Sequence, residues 1–162
     1  MVKRGIKGEK MSQEQEMQEI QAMNISDIAS IKEILYGSGY SDKAITYYIN
    51  KPNMGILEDA NQVSELTGPC GDTMKIYLKI ENGIIEDAKI QVLGCPGAIA
   101  SAMAAMEMIK GKTFEEVMEI KDRDIFRILE DIPNEKQHCI RLTNKTIQKA
   151  IEEYKANQET KA

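Results

Sequence analysis

The chain has 162 residues, 42% of them apolar and 29% charged, with a formal net charge of −5. That is the size and composition of one soluble globular domain with a moderate core. The sequence shows no basic stripe of the kind a nucleic-acid binder carries. No apolar run reaches the length of a membrane span: Ala98 to Ile109 is too short and contains Glu107.

Residues 1–24 are polar, with a basic start (Lys3, Arg4, Lys7, Lys10) and Glu-rich sequence after it, and read as a flexible arm. They do not read as a secretory or mitochondrial address. Ile25, Ile28, Ile31, Ile34 and Leu35 recur at helical spacing, with Asn24 or Ser26 as cap and Gly37 as stop. The Gly37-Ser38-Gly39 stretch is a joint, so residues 25–39 form an extra amino-terminal helix and the main domain spans 40–156. Ser41 opens a short helix with Ile45, Tyr48 and Ile49 on one face and Pro52 beyond its end. Turn residues fill Lys51 to Asn61, and Val63 to Thr67 is a short strand.

Ile76, Leu78 and Ile80 alternate with Lys75, Tyr77 and Lys79, the pattern of a half-buried strand. Asn82-Gly83 is a strong hairpin signal, because both turn positions need positive φ. The return strand, Ile84 to Leu93, puts Ala88, Ile90 and Val92 on one face. Pro96 starts a helix that is apolar nearly all round and is closed by Gly111, so it is expected at the centre of the core. Thr113 to Glu116 is a capping box. Ile125, Phe126, Ile128 and Leu129 mark another helix. The last, after Pro133, carries Ile140, Ile147, Ile151 and Tyr154, before a polar tail over 157–162. Strands first and helices later favour an α+β fold: a small antiparallel sheet of about three strands covered by helices.

All three cysteines stand at element boundaries: Cys70 in Gly68-Pro69-Cys70-Gly71-Asp72, Cys95 in Gly94-Cys95-Pro96-Gly97, and Cys139 after His138, the one histidine. Their odd number argues against a disulfide framework and for a reducing, cytoplasmic setting. Singly, each reads most simply as a small buried hydrophobe. Together with Asp72 and His138 they make a soft donor set for a thiophilic metal or an iron–sulfur cluster. The gaps of 25 and 44 positions exclude paired C-x-x-C knuckles, so three separate loops must converge. Free amides at the helix start favour a thiolate at Cys95, and Lys136 lies three positions before Cys139. The convergence is expected on one exposed rim. A Cys–His nucleophile is disfavoured, because neighbours on a helix do not face each other. The remaining alternative is a zinc-binding or redox-regulatory protein using the same residues.

Several stretches together resemble the IscU family of iron–sulfur cluster scaffolds, including the amino-terminal part of NifU. They are Tyr40-Ser41-Asp42-Lys43, Asn53-Met54-Gly55, Cys70-Gly71-Asp72-Thr73-Met74-Lys75, Gly83-Ile84-Ile85-Glu86-Asp87-Ala88, Gly94-Cys95-Pro96-Gly97-Ala98-Ile99-Ala100-Ser101, Lys110-Gly111-Lys112 and Lys136-Gln137-His138-Cys139. The resemblance runs from about Tyr40 to Lys155, and the spacing from Cys95 to Cys139 is of the IscU and NifU type rather than the longer SufU type. It implies a non-enzymatic scaffold with an IscU/NifU-like fold. Such a scaffold takes sulfur from a cysteine desulfurase and ferrous iron, builds a transient [2Fe-2S] cluster, and passes it to recipient apo-proteins. It implies Cys70, Asp72, Cys95 and Cys139 as cluster ligands, His138 as an alternate ligand and Lys136 as a charge beside them. Cys139 would accept persulfide sulfur, and zinc would bind when no cluster is present. Ile132-Pro133-Asn134-Glu135-Lys136 keeps only part of the Leu-Pro-Pro-Val-Lys stretch that a dedicated chaperone reads in many bacterial members. The helix before Tyr40 is an addition to the family pattern, with three readings open: packing on the domain, self-association into a homo-oligomer, or no role.

Overall fold

The structure, a computed structural model, describes residues 25–161 and the side chains of 27–160. The arm expected over 1–24 lies outside the described residues. The chain divides into two units, Met1–Leu35 and Tyr36–Ala162. The first contributes most of helix α1, Ile25–Gly37, which ends at the expected glycine.

The second unit is α+β. Its elements are α2 (Asp42–Asn50), β1 (Gln62–Thr67), β2 (Thr73–Glu81), β3 (Ile84–Leu93), α3 (Pro96–Ile109), α4 (Phe114–Met118) and α5 (Asp122–Leu129). A 3-10 turn at Asn134–Lys136 then leads into α6 (Gln137–Lys161). The strands form one antiparallel sheet in the order β1-β2-β3. The Asn82-Gly83 turn has φ of 55° and 76°, as its sequence requires. α6 continues through residue 161, so the polar residues after 156 extend a helix.

One face of the sheet carries the core. Ile76, Leu78, Ile80, Ala88 and Ile90 are all buried, as their alternation predicts. Val92 is only half-buried, because it lies at the end of β3 where helical cover thins. α3 packs on β3, α2, α5 and α6, and α6 packs on β1 and β2. Contact on every side explains why α3 is apolar all round, from Ala98 to Ile109, with Glu107 its one exposed residue.

β1 is built differently. Its inward positions are Gln62 and Ser64, and Ser64 Oγ donates to Glu153 of α6 at 2.5 Å. Val63 faces outward. The face of α2 also departs from expectation: Ala44, Ile45 and Tyr47 are buried, while Tyr48 and Ile49 are half-buried. Tyr47 turns inward because its hydroxyl donates to Glu107 at 2.7 Å, and Tyr48 instead lies under the Lys51 ammonium, 4.2 Å away.

The open edge of β3 is closed by loop backbone. Ile90 N–H donates to Asn53 O at 3.0 Å and Gly55 N–H to Ile90 O at 3.1 Å. Asn53 is anchored by Lys110 Nζ at 2.5 Å on its Oδ1, and its amide donates to Met103 O at 3.3 Å. Two of the resembling stretches, 53–55 and 110–112, therefore brace the sheet against α3 and lie away from the cysteines.

Truncating the sheet core should be costly. Ile90→Ala should lose about 2–5 kcal/mol in urea unfolding, while Ile56→Ala, at a side chain 56% exposed, should stay within about 0.5 kcal/mol of the parent.

Candidate metal centre

Register brings the first two loops together. β1 pairs with β2 as far as Thr67↔Thr73, and β2 with β3 as far as Thr73↔Leu93. Thr73 thus stands between Thr67 and Leu93. The Gly68–Asp72 loop after β1 and the Gly94-Cys95 corner after β3 leave the sheet side by side. The loop is tight: Gly68 N–H donates to Asp72 O at 2.8 Å, Gly71 N–H to Gly68 O at 3.0 Å, and Gly71 has a φ of 95°.

Gly94 permits the approach. A Cβ at this position would lie 2.8 Å from Asp72 Cγ and 3.0 Å from its Oδ1. Any side chain there would drive the carboxylate off. Gly97 does the same one turn later, since a Cβ would meet Lys136 Cβ at 3.2 Å and the Tyr40 hydroxyl at 3.3 Å. The third loop is the 3-10 turn before α6, which brings Lys136, His138 and Cys139 over the start of α3.

The five expected donors gather in two overlapping groups. Cys70, Asp72 and His138 have ligand atoms within 4.8 Å of one another, and so do Asp72, Cys95 and Cys139. Asp72 belongs to both. Cys95 Sγ lies 3.6 Å from Cys139 Sγ and 3.8 Å from Asp72 Oδ2. All three cysteines are free thiols. Small closing movements would bring either group to the roughly 2.0–2.3 Å bond lengths that zinc makes to imidazole, carboxylate and thiolate. The donor chemistry therefore fits a thiophilic metal.

Two expectations need correction. The site is graded in depth and is not one exposed rim: Cys70 is exposed, Cys95 half-buried and Cys139 fully buried. Cys139 is buried because the first turn of α6 packs down on the end of the sheet. His138 and Cys139, though sequence neighbours, do meet: Nε2 lies 3.7 Å from Sγ. In a first helical turn the long imidazole arm reaches across, so the neighbour rule does not separate them.

The thiol pair behaves as a unit that shares a proton. Cys139 acts as hydrogen-bond donor to Cys95, and this lowers the Cys95 thiol to about 5 from 9.0. Burial opposes that shift, while the Ala98 amide and the Lys136 charge reinforce it. The same hydrogen bond, then burial, push Cys139 up. Tyr40 is the neighbour that cysteine spacing does not reveal. Burial, then the charges at Cys95 and Cys139, raise its phenol to about 12, so it stays protonated beside the pair. Its signal in the sequence was confined to the resemblance, because a tyrosine before a helix cap has many uses.

The shift at Cys95 predicts a pH profile. A lowered thiol is ionised above its folded value, so alkylation of Cys95 by iodoacetamide in the metal-free protein should be flat from about pH 6 to 8 and fall below about pH 5. Near neutral pH it should run faster than in the unfolded chain, by less than the gain in thiolate fraction, because a low-pKa sulfur is a weaker nucleophile. Peptide mapping of the alkylated residue is the check. A rate rising tenfold per pH unit through neutrality would remove the shared proton.

Comparison with known proteins agrees with the fold and the loop pattern. Residues 39–161 match the NifU-like N terminal domain. The chain is 41% identical over 116 residues to the iron-sulfur cluster assembly scaffold protein IscU 1 of Archaeoglobus fulgidus, covering 71% of this chain and 76% of that one. It is 42% identical over 127 residues to the scaffold protein IscU of Escherichia coli K12, covering 75% and 98%. A solved structure from Fervidobacterium islandicum AW-1, described as a candidate iron–sulfur cluster assembly scaffold for the SUF system, superposes with a TM-score of 0.57 at 26% identity, over 68% of this chain and 95% of that one. By the length and identity of these matches, the chain belongs to the NifU-like N-terminal domain family.

Proposed function

We propose that this protein is a scaffold on which an iron–sulfur cluster is assembled and from which it is released to recipient apo-proteins. The observation that carries the reading is the pair of donor groups joined at Asp72, contributed by three loops at the end of the sheet. Family membership and the names of the relatives support it. The cluster is cargo. A [2Fe-2S] cluster suits the size of the set, with Cys70, Cys95, Cys139 and Asp72 as its four protein ligands and His138 as the alternate.

The chemistry of the set favours temporary holding. Three thiolates bind iron strongly, and a carboxylate is a harder and weaker donor in such a cluster. An electron carrier would present four cysteines. Asp72 is therefore the position at which the cluster opens to exchange, and His138 lies within its group to take over. Lys136 offsets the negative charge that gathers on the thiolates.

Sulfur comes from a cysteine desulfurase in this reading, and Cys139 is its persulfide acceptor. Cys139 is fully buried, so sulfur reaches it by way of half-buried Cys95, 3.6 Å away. The free thiols suit a reducing cytoplasm. Zinc would occupy the same donors in the absence of iron and sulfide. The partly kept Ile132–Lys136 stretch leaves a chaperone contact as a secondary expectation, and self-association through the helix before Tyr40 as another.

The test is anaerobic: ferrous iron, cysteine and a cysteine desulfurase should give a visible cluster absorption on the wild-type protein and transfer to an apo-ferredoxin. Asp72→Ala should keep the fold and slow transfer by about tenfold at matched loading, because the labile ligand is lost. Gly94→Ala should mimic it with the carboxylate still present, because the new methyl displaces Asp72. Zinc binding without any cluster formation in the wild type would favour the zinc-protein alternative.

A further inference from the structure

Glu107 is the only charged residue of α3 between Pro96 and Ile109. Tyr47 of α2 holds it, with the phenol donating to Glu107 Oε1 at 2.7 Å. Burial, then that hydrogen bond, raise the Tyr47 phenol to about 12, so it remains a donor at physiological pH. The same ring faces a cation: Lys43 Nζ lies 5.9 Å from its centroid. One buried side chain thus holds an anion at its hydroxyl and a cation over its face.

These groups line a cavity of about 310 Å³ beside α2 and α3, and Thr46, Asn50 and Pro52 complete its wall. That is the lower end of the roughly 300–1,000 Å³ range of small-molecule sites. Among the described residues, Lys43 Nζ makes no hydrogen bond or ion pair, and neither does the second carboxylate oxygen of Glu107. The other cations at this end are engaged. Lys51 Nζ donates to Tyr48 O at 2.6 Å, and Lys110 Nζ donates to Asn53 and pairs with Asp87. The Tyr47–Glu107 bond alone pins α2 on α3, and a pin needs neither the facing ammonium nor the open space.

We propose that this cavity binds a free α-amino acid, with its carboxylate on Lys43, its ammonium on Glu107 and its side chain against the Tyr47 ring and Pro52. The charge count selects that class. One cation and one anion face the space. A phosphate would be repelled by Glu107 and a polyamine by Lys43, and an uncharged ligand leaves both charges unpaired. A zwitterion pairs both. The Asn50 amide, which makes no side-chain hydrogen bond among the described residues, adds a donor and an acceptor for a polar side chain. The site is separate from the cysteine corner: Gly97 and Glu107 lie ten positions apart on one helix, or about 15 Å. The inference does not rest on the cluster reading, and either can stand without the other.

The probe is L-leucine, titrated into metal-free, isotope-labelled protein and followed by the NMR shifts of the backbone amides. Amides of residues 43–50 and around Glu107 should shift saturably, with a dissociation constant on the order of 1 mM, because charges near the surface pair weakly. N-acetyl-L-leucine lacks the ammonium and L-leucine amide lacks the carboxylate, and each should bind about fivefold more weakly. Glu107→Gln should weaken L-leucine by a similar factor without weakening N-acetyl-L-leucine. Lys43→Gln should do the same without weakening L-leucine amide. Both side chains are exposed, so both variants should keep the fold. Raising the salt concentration should weaken L-leucine binding in the wild type. No saturable shift at high millimolar L-leucine overturns the proposal. So do shifts confined to residues around the cysteines, and so does equal binding of the two blocked ligands and L-leucine, which would make the cavity an apolar groove.

Discussion

The close approach of Asp72 to Gly94 is the constraint on which the site depends. It follows from the sheet. Antiparallel pairing ends at Thr67, Thr73 and Leu93 in one row, so two loops must leave at the same point. The second loop begins with a glycine, and the carboxylate of the first occupies the space its side chain would fill. Cys70 is fixed two positions before that carboxylate and Cys95 one position after that glycine. The third contributor, the start of α6, is held by the packing of that helix on β1, β2 and α3.

Beneath this corner the structure is packed on every side, and at the corner burial is graded. α3 touches four other elements and is built from small and flexible apolar residues that fill the space between them. Its first turn carries the Cys95 end of the site, and its far end is tied to Asn53 and the edge of β3 through Lys110. Cys139 sits where this packing is complete and Cys70 where it stops. A cluster held at such a place has one side in the protein and one side in solvent, which is the arrangement a cargo needs in order to leave.

Much of this was legible in the sequence because local rules and tertiary structure agreed. Asn82-Gly83 needs two positive φ values and has them, Pro96 starts α3, and Thr113 with Glu116 forms the capping box. The alternation of β2 and β3 gave the buried face except at Val92, where the strand outruns its cover. The misreadings fall where an interaction distant in sequence decides. Tyr47 turns inward for Glu107, sixty positions away, and no helical periodicity encodes that. The depth of Cys139 is set by how α6 docks, and so is the reach of His138 toward it. Element ends near glycine and proline pointed to the three cysteines, but burial at those ends was not written in any one of them.

The donor set proposed for the cluster is asymmetric, with one iron held by sulfur alone and the other by sulfur and the Asp72 oxygen. Mössbauer spectroscopy of the protein loaded with iron-57 reads that asymmetry directly. Two resolved quadrupole doublets of equal area are expected, collapsing toward a single all-sulfur pattern in Asp72→Ala. One doublet from two equivalent irons in the wild type, unchanged by Asp72→Ala, would contradict it.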